Sequence, residues 1–147
     1  MLLSLTAVEA QETKTLELET FSKVTLEGNI EIHLAKGTAA KAKIETKNAN
    51  SFKDLEIEVR NNELFIVYKK DEDQTPKFII YLEHEGVEEV EMSGLITLYS
   101  ESVLNGSNLT LKGSGIIKGE IAIAVEKFQI DSDGITNMKI SGTADIA

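Results

Sequence analysis

Between Val90 and Ala147 the chain superposes on itself at a fixed step of 19 residues, a period that few folds tolerate. Val90-Glu91-Met92-Ser93-Gly94 is followed by Leu109-Thr110-Leu111-Lys112-Gly113-Ser114-Gly115 and then by Phe128-Gln129-Ile130-Asp131-Ser132-Asp133-Gly134. The step carries Val90 onto Leu109 and Phe128, Met92 onto Leu111 and Ile130, Gly94 onto Gly113, and Gly115 onto Gly134. Aliphatic strands repeated in this way cannot bury an apolar face singly and must stack on one another. The repeat therefore predicts an all-β chain with a parallel right-handed β-helix or solenoid-like body of 19-residue coils in its C-terminal half. Val90, Leu109 and Phe128 are expected in one inward ladder, and Met92, Leu111 and Ile130 in the next.

The N-terminal half follows a different pattern, the alternation of half-buried strands and hairpins. Leu16 and Leu18, Val24 and Leu26, then Ile30, Ile32 and Leu34 recur at period two, with Gly28-Asn29 and Lys36-Gly37 supplying bends or turns. Ala40, Ala42 and Ile44 continue the inward face, while Lys41, Lys43 and Lys47 point outward. Asn48 to Phe52 lacks alternation and reads as a loop or a single helical turn. Leu55–Arg60 and Glu63–Lys69 flank Asn61-Asn62, whose tolerance of left-handed backbone suits a two-residue hairpin. Asp71 to Pro76 is a charged loop, and Phe78 to Leu82 is a continuous apolar run expected to be covered on both faces.

Residues 1–10 read as the remnant of a signal peptide, a short apolar run ending in Val8-Glu9-Ala10 with Gln11 as the first mature residue; the alternative is an N-terminal strand, since a basic n-region is missing. Residues 11–147 then form one β-solenoid-like domain, since no Gly-, Ser- or Pro-rich linker divides them. The chain has no Cys, so disulfides and thiolate metal sites are excluded. Its formal charge of −10 repels phosphate backbones and argues against nucleic acid as a partner.

The opening Phe21-Ser22-Lys23-Val24-Thr25-Leu26-Glu27-Gly28-Asn29-Ile30-Glu31-Ile32-His33-Leu34, followed by aliphatic strands that run into Ser-Gly turns, resembles the putative auto-transporter adhesin family with the head GIN domain. The resemblance covers Phe21 to the end. It implies an exported protein of Bacteroides-type bacteria, periplasmic, outer-membrane-associated or on the cell surface.

The residues assemble no catalytic, cofactor-binding or metal site. His33 falls on the outward side of its alternation and His84 in the acidic strand end Glu83-His84-Glu85, and both read as plain surface residues. Ser93, Ser114 and Ser132 lie in expected turns, where hydroxyls bond the local backbone, and none has a nucleophile elbow. Asp131-Ser132-Asp133-Gly134 lacks the further acidic ligands of a calcium loop and reads as a solvated turn. The leading function is therefore a non-catalytic, adhesin-like envelope or surface module whose partner is an envelope polymer, glycan or protein. A polysaccharide-active lyase or hydrolase is the alternative from another class, disfavoured by the absence of Trp and the presence of a single Arg, Arg60. A structural envelope scaffold is the third. One further step from Phe128 lands on Ala147, so the repeat is expected to be truncated inside a coil, leaving an edge open to self-association.

Overall fold

The computed structural model describes residues 12–70 and 75–146. The expected signal-peptide remnant and the residues Asp71 to Gln74 of the charged loop lie outside that span. Eight strands follow in order: β1 (Glu12–Glu17), β2 (Lys23–Lys36), β3 (Lys41–Thr46), β4 (Leu55–Arg60), β5 (Glu63–Tyr68), β6 (Lys77–His84), β7 (Glu89–Ser100) and β8 (Leu104–Ile146). A 3-10 turn, Ala49–Asp54, sits between β3 and β4, and Asn48 caps it by accepting from the Asn50 N–H at 3.0 Å.

The strands form one mixed sheet, curled into a half-barrel, and not the parallel β-helix or solenoid that the repeat predicts. Three of its ladders are antiparallel: β1 with β3, β3 with β6, and β4 with β5. A short connection imposes the last of these. Asn61 and Asn62, at φ 51° and 69°, close the β4–β5 hairpin as a tight turn that only antiparallel neighbours can share. The parallel ladders all radiate from β2 and β7.

β2 is the strand on which the sheet is built. One of its edges pairs with β7 from Lys23 to Leu34. The other edge is divided: Lys23–Glu27 pairs with β5, and Asn29–Lys36 pairs with β6. The division falls at Gly28, whose φ of 136° bends the strand. The sheet therefore forks into a long wing, β6-β3-β1, and a short wing, β5-β4. Inward residues of both wings meet in a single core that includes Val24, Leu26, Ile30, Ile32, Leu34, Leu64, Ile66, Phe78 and Ile80, all at most 1% exposed.

The C-terminal half is one continuous β-run, β8, where separate coils were expected. It bends back on itself: Gly134 lies against the backbone of Gly115, and Gly142 against that of Ile123, so the 19-residue step does hold inside β8. It fails at the first step. β7 pairs with β8 at an offset of 21, placing Val90 opposite Leu111 and Met92 opposite Gly113. Gly94 consequently faces Gly115 rather than Gly113. The reason is steric: both glycines have positive φ, and a methyl on Gly115 would lie 2.4 Å from the Gly94 carbonyl oxygen, so the bend of β8 takes a glycine where it meets Gly94. Of the two expected ladders, Val90, Leu109, Phe128, Met92 and Leu111 are buried, but Ile130 is 42% exposed.

Three substitutions test this packing. Leu111→Ala is expected to lower stability by about 2 to 5 kcal/mol, whereas Ile130→Ala should stay within about half a kcal/mol, measured by denaturant unfolding. Gly94→Ala combines a forbidden backbone with a clash against a neighbouring strand and should cost about 3 kcal/mol or more. A Gly94→Ala chain with an unchanged midpoint would mean that the glycine column does not set the register.

Candidate functional site

The outer face of the long wing, continued across β2, β7 and β8, carries a row of side chains in strict register across six strands: Thr15, Lys43, Tyr81, His33, Tyr99 and Glu120. Neighbouring rungs of a sheet lie about 4.8 Å apart, which is the spacing at which flat rings stack. His33 does so on both sides, with ring centroids 4.9 Å from Tyr81 and 5.0 Å from Tyr99 at interplanar angles of 18° and 26°. The Lys43 ammonium lies 5.8 Å from the Tyr81 centroid, on the far side of the row.

Each imidazole nitrogen is met by a carboxylate. Nε2 lies 2.8 Å from Glu31, two residues along the same face of β2, and Nδ1 lies 2.7 Å from Glu101, just past the end of β7. Burial alone would lower the His33 pKa, but the hydrogen bonds and charges of Glu31 and Glu101 outweigh it and raise it. The hydrogen bond from His33 is the chief cause that lowers the Glu31 pKa, with Lys77 at 3.1 Å adding to it. The two carboxylates thus favour the protonated ring, and both of its nitrogens are already occupied.

Beside this stack is an open hollow of about 370 Å³. Ala35, Tyr81 and Leu82 contribute its apolar part, and Thr15, Lys41, Lys43, Glu83 and Glu101 its polar rim. The rim ion pairs are loose, Lys41 with Glu83 at 4.0 Å and Lys43 with Glu45 at 3.6 Å. Tyr81 itself is 42% exposed.

His33 thus points outward as its alternation requires, but it is the centre of a stack and not an isolated surface residue. Tyr81 and Tyr99 were missed. Phe78 to Leu82 reads as a run covered on both faces, yet only Phe78, Ile80 and Leu82 are buried, and Tyr81 faces solvent. The available signal was that Tyr81, His33 and Tyr99 each occupy an outward position of an alternating strand. His84 is also corrected: it is 2% exposed, at the inward end of β6, and neither ring nitrogen has a hydrogen-bond partner among the described residues. Burial lowers its pKa, and the charge of Lys36 lowers it further. Ser93, Ser114 and Ser132 lie within β7 and β8 rather than in turns, since the chain continues extended through the glycines. Asp131 and Asp133 are exposed, and among the described residues no three His, Cys, Asp or Glu side chains are grouped to hold a metal ion. Nor does any described helix have the length and apolarity to cross a membrane.

Residues 20–147 match the family described as putative auto-transporter adhesin, head GIN domain. The chain belongs to that family. Its fold is shared with a putative adhesin of Bacteroides fragilis (TM-score 0.80, 20% identity), a likeness covering 93% of this chain and 65% of the other. A putative adhesin of Parabacteroides distasonis gives a TM-score of 0.70 at 17% identity, over 92% of this chain and 67% of the other. A protein of the same species described as a putative lipid binding protein gives 0.65 at 14% identity, over 92% and 72%. These likenesses are of fold, and the chain spans less than two thirds of the Bacteroides fragilis protein. No curated protein matches. In this head GIN chain the opening Phe21-x-x-Val24-x-x-x-Gly28-x-Ile30-x-Ile32 has a direct physical meaning. Phe21, Val24, Ile30 and Ile32 enter the core, and Gly28 is the bend at which the sheet forks.

The two histidines should titrate in opposite directions from the ordinary value of 6.5. The raised pKa of His33 means a contribution to stability that is complete below the unfolded value and lost as pH rises through the folded one. His84 has the opposite sign: as pH falls below 6.5 the unfolded chain takes up a proton that the buried ring resists, and stability declines. NMR titration of the two imidazoles checks this, and a His33 midpoint below that of His84 would contradict it.

Proposed function

We propose that this chain is the binding body of an exported, non-catalytic, adhesin-like protein of the cell envelope or surface, and that it engages its partner through the outer face of the long wing. Membership of an adhesin-named family supports the class and the compartment. The observation that carries the reading is the state of the only histidine on that face. Both His33 nitrogens are spent on Glu31 and Glu101, so the ring is arranged to be held in place rather than to exchange protons with a substrate. What the row leaves available is contact surface: an exposed tyrosine, a hollow of about 370 Å³, and loosely paired lysines and glutamates around it. Aromatic rings held rigid by their neighbours lose little entropy when a partner settles on them.

Envelope fragments flowed over immobilised chain test the reading. Retention should fall by about tenfold or more in Tyr81→Ala, while Ile116→Ala, on another part of the outer surface, should bind as the parent does. Equal retention by Tyr81→Ala and the parent would place binding elsewhere. Release of shortened polymer during the incubation would contradict the non-catalytic reading.

A further inference from the structure

We propose that the hollow beside Tyr81 is a binding site for a neutral, hydroxyl-rich sugar ring. This rests on the reading of the long wing's outer face as the binding face, and it names the ligand chemistry that face would take. The rim offers the polar half of such a site. Lys41 and Lys43 offer ammonium donors, Glu83 and the Glu101 oxygen not bonded to His33 offer carboxylate acceptors, and the Thr15 hydroxyl can serve as either. Two lysines stand against two glutamates, and His33 is hydrogen-bonded to both Glu31 and Glu101. In a chain of net charge −10 this is a locally balanced surface, with no field that selects an anion or a cation. Sugar hydroxyls donate and accept at once, so they can satisfy both kinds of rim group without bringing a charge of their own.

The Tyr81 ring offers the apolar half of such a site. His33 covers one face of Tyr81 at a centroid distance of 4.9 Å, which fixes the phenol upright. Over its other face stands the Lys43 ammonium, 5.8 Å from the centroid, on a side chain that is 53% exposed. Its salt bridge to the half-buried Glu45 is 3.6 Å long, and with the lysine end in solvent the pair is of small net worth. Lys43 can therefore swing from the ring to a ligand hydroxyl, and the C–H face of a pyranose can take its place against the aromatic surface. The hollow, at about 370 Å³, lies within the range of sites that enclose small ligands.

The test is an NMR titration of the ¹⁵N-labelled full chain with three probes: triacetylchitotriose, cellotetraose and, as the charged comparator, tetragalacturonate. At least one neutral oligosaccharide should give saturable shifts centred on Lys43, Tyr81 and Ala35, with a dissociation constant in the range of about 0.1 to 10 mM. Tyr81→Ala should weaken it about tenfold or more, Tyr81→Phe should keep it within about threefold, and Ile116→Ala should leave it unchanged. The Phe variant separates the aromatic contact from any loss of fold in the Ala variant. No saturable shift with either neutral sugar, or binding of tetragalacturonate alone with a steep salt dependence, would overturn the proposal. If Tyr81→Ala abolishes capture of envelope fragments while neither neutral sugar binds, the face is a binding face and the ligand class is wrong. If capture is indifferent to Tyr81, the underlying reading falls as well.

Discussion

Everything in this sheet depends on a column of glycines that cannot carry a side chain. Gly28 in β2, Gly94 in β7, and Gly115 and Gly134 in β8 lie one upon another, all at positive φ. A methyl group on any of the last three would be driven into the carbonyl of the glycine before it. The column does two things. It lets successive strands bend at the same place, and it locks their register, because only another glycine fits the bend.

The bend at Gly28 is what allows one strand to serve two neighbours on a single edge, β5 before it and β6 after it. The short wing and the long wing then curl toward each other and share one core. With the inward faces of β2, β3, β5 and β6 used in that core, the outward faces of these strands carry the side chains that can meet anything else. From the long wing across β2 to β7 the locked register aligns Lys43, Tyr81, His33 and Tyr99 in one row. A register slip of one residue would turn His33 inward and break the stack. The site is therefore a consequence of the glycine column, even though no glycine touches it.

The same register determines how charge is handled on this acidic surface. At the start of β2, Lys23 is shared among Glu63 of β5 and Glu89 and Glu91 of β7 at 3.3 to 3.7 Å, with Lys112 of β8 also reaching Glu89 at 3.4 Å. Further along β2 the equivalent central position is His33, held between two carboxylates and two rings. One end of β2 thus carries a lysine-centred lattice. The other carries a titratable ring that is strongest in the window between the carboxylate and imidazole pKa values, where Glu31 is ionised and His33 is charged.

How much of this was legible differs by element. The β4–β5 hairpin, the helical turn after Asn48 and the inward residues of β2 and β3 follow from local chemistry, since alternation and asparagine backbone preference act over a few residues. The family's opening pattern was readable for the same reason. The 19-residue repeat was real within β8 but misled about architecture, because periodicity reports which residues are equivalent and not which strands they pair with. His84 read as a surface residue because its neighbours Glu83 and Glu85 are acidic, yet it shares the inward parity of Phe78, Ile80 and Leu82. Strand chemistry, the alternating faces and the positions of the glycines were determined by the sequence alone. The forked mixed sheet, the 21-residue offset and the meeting of Tyr81, His33 and Tyr99 were decided only in the tertiary structure, because each depends on contacts between strands far apart in the chain.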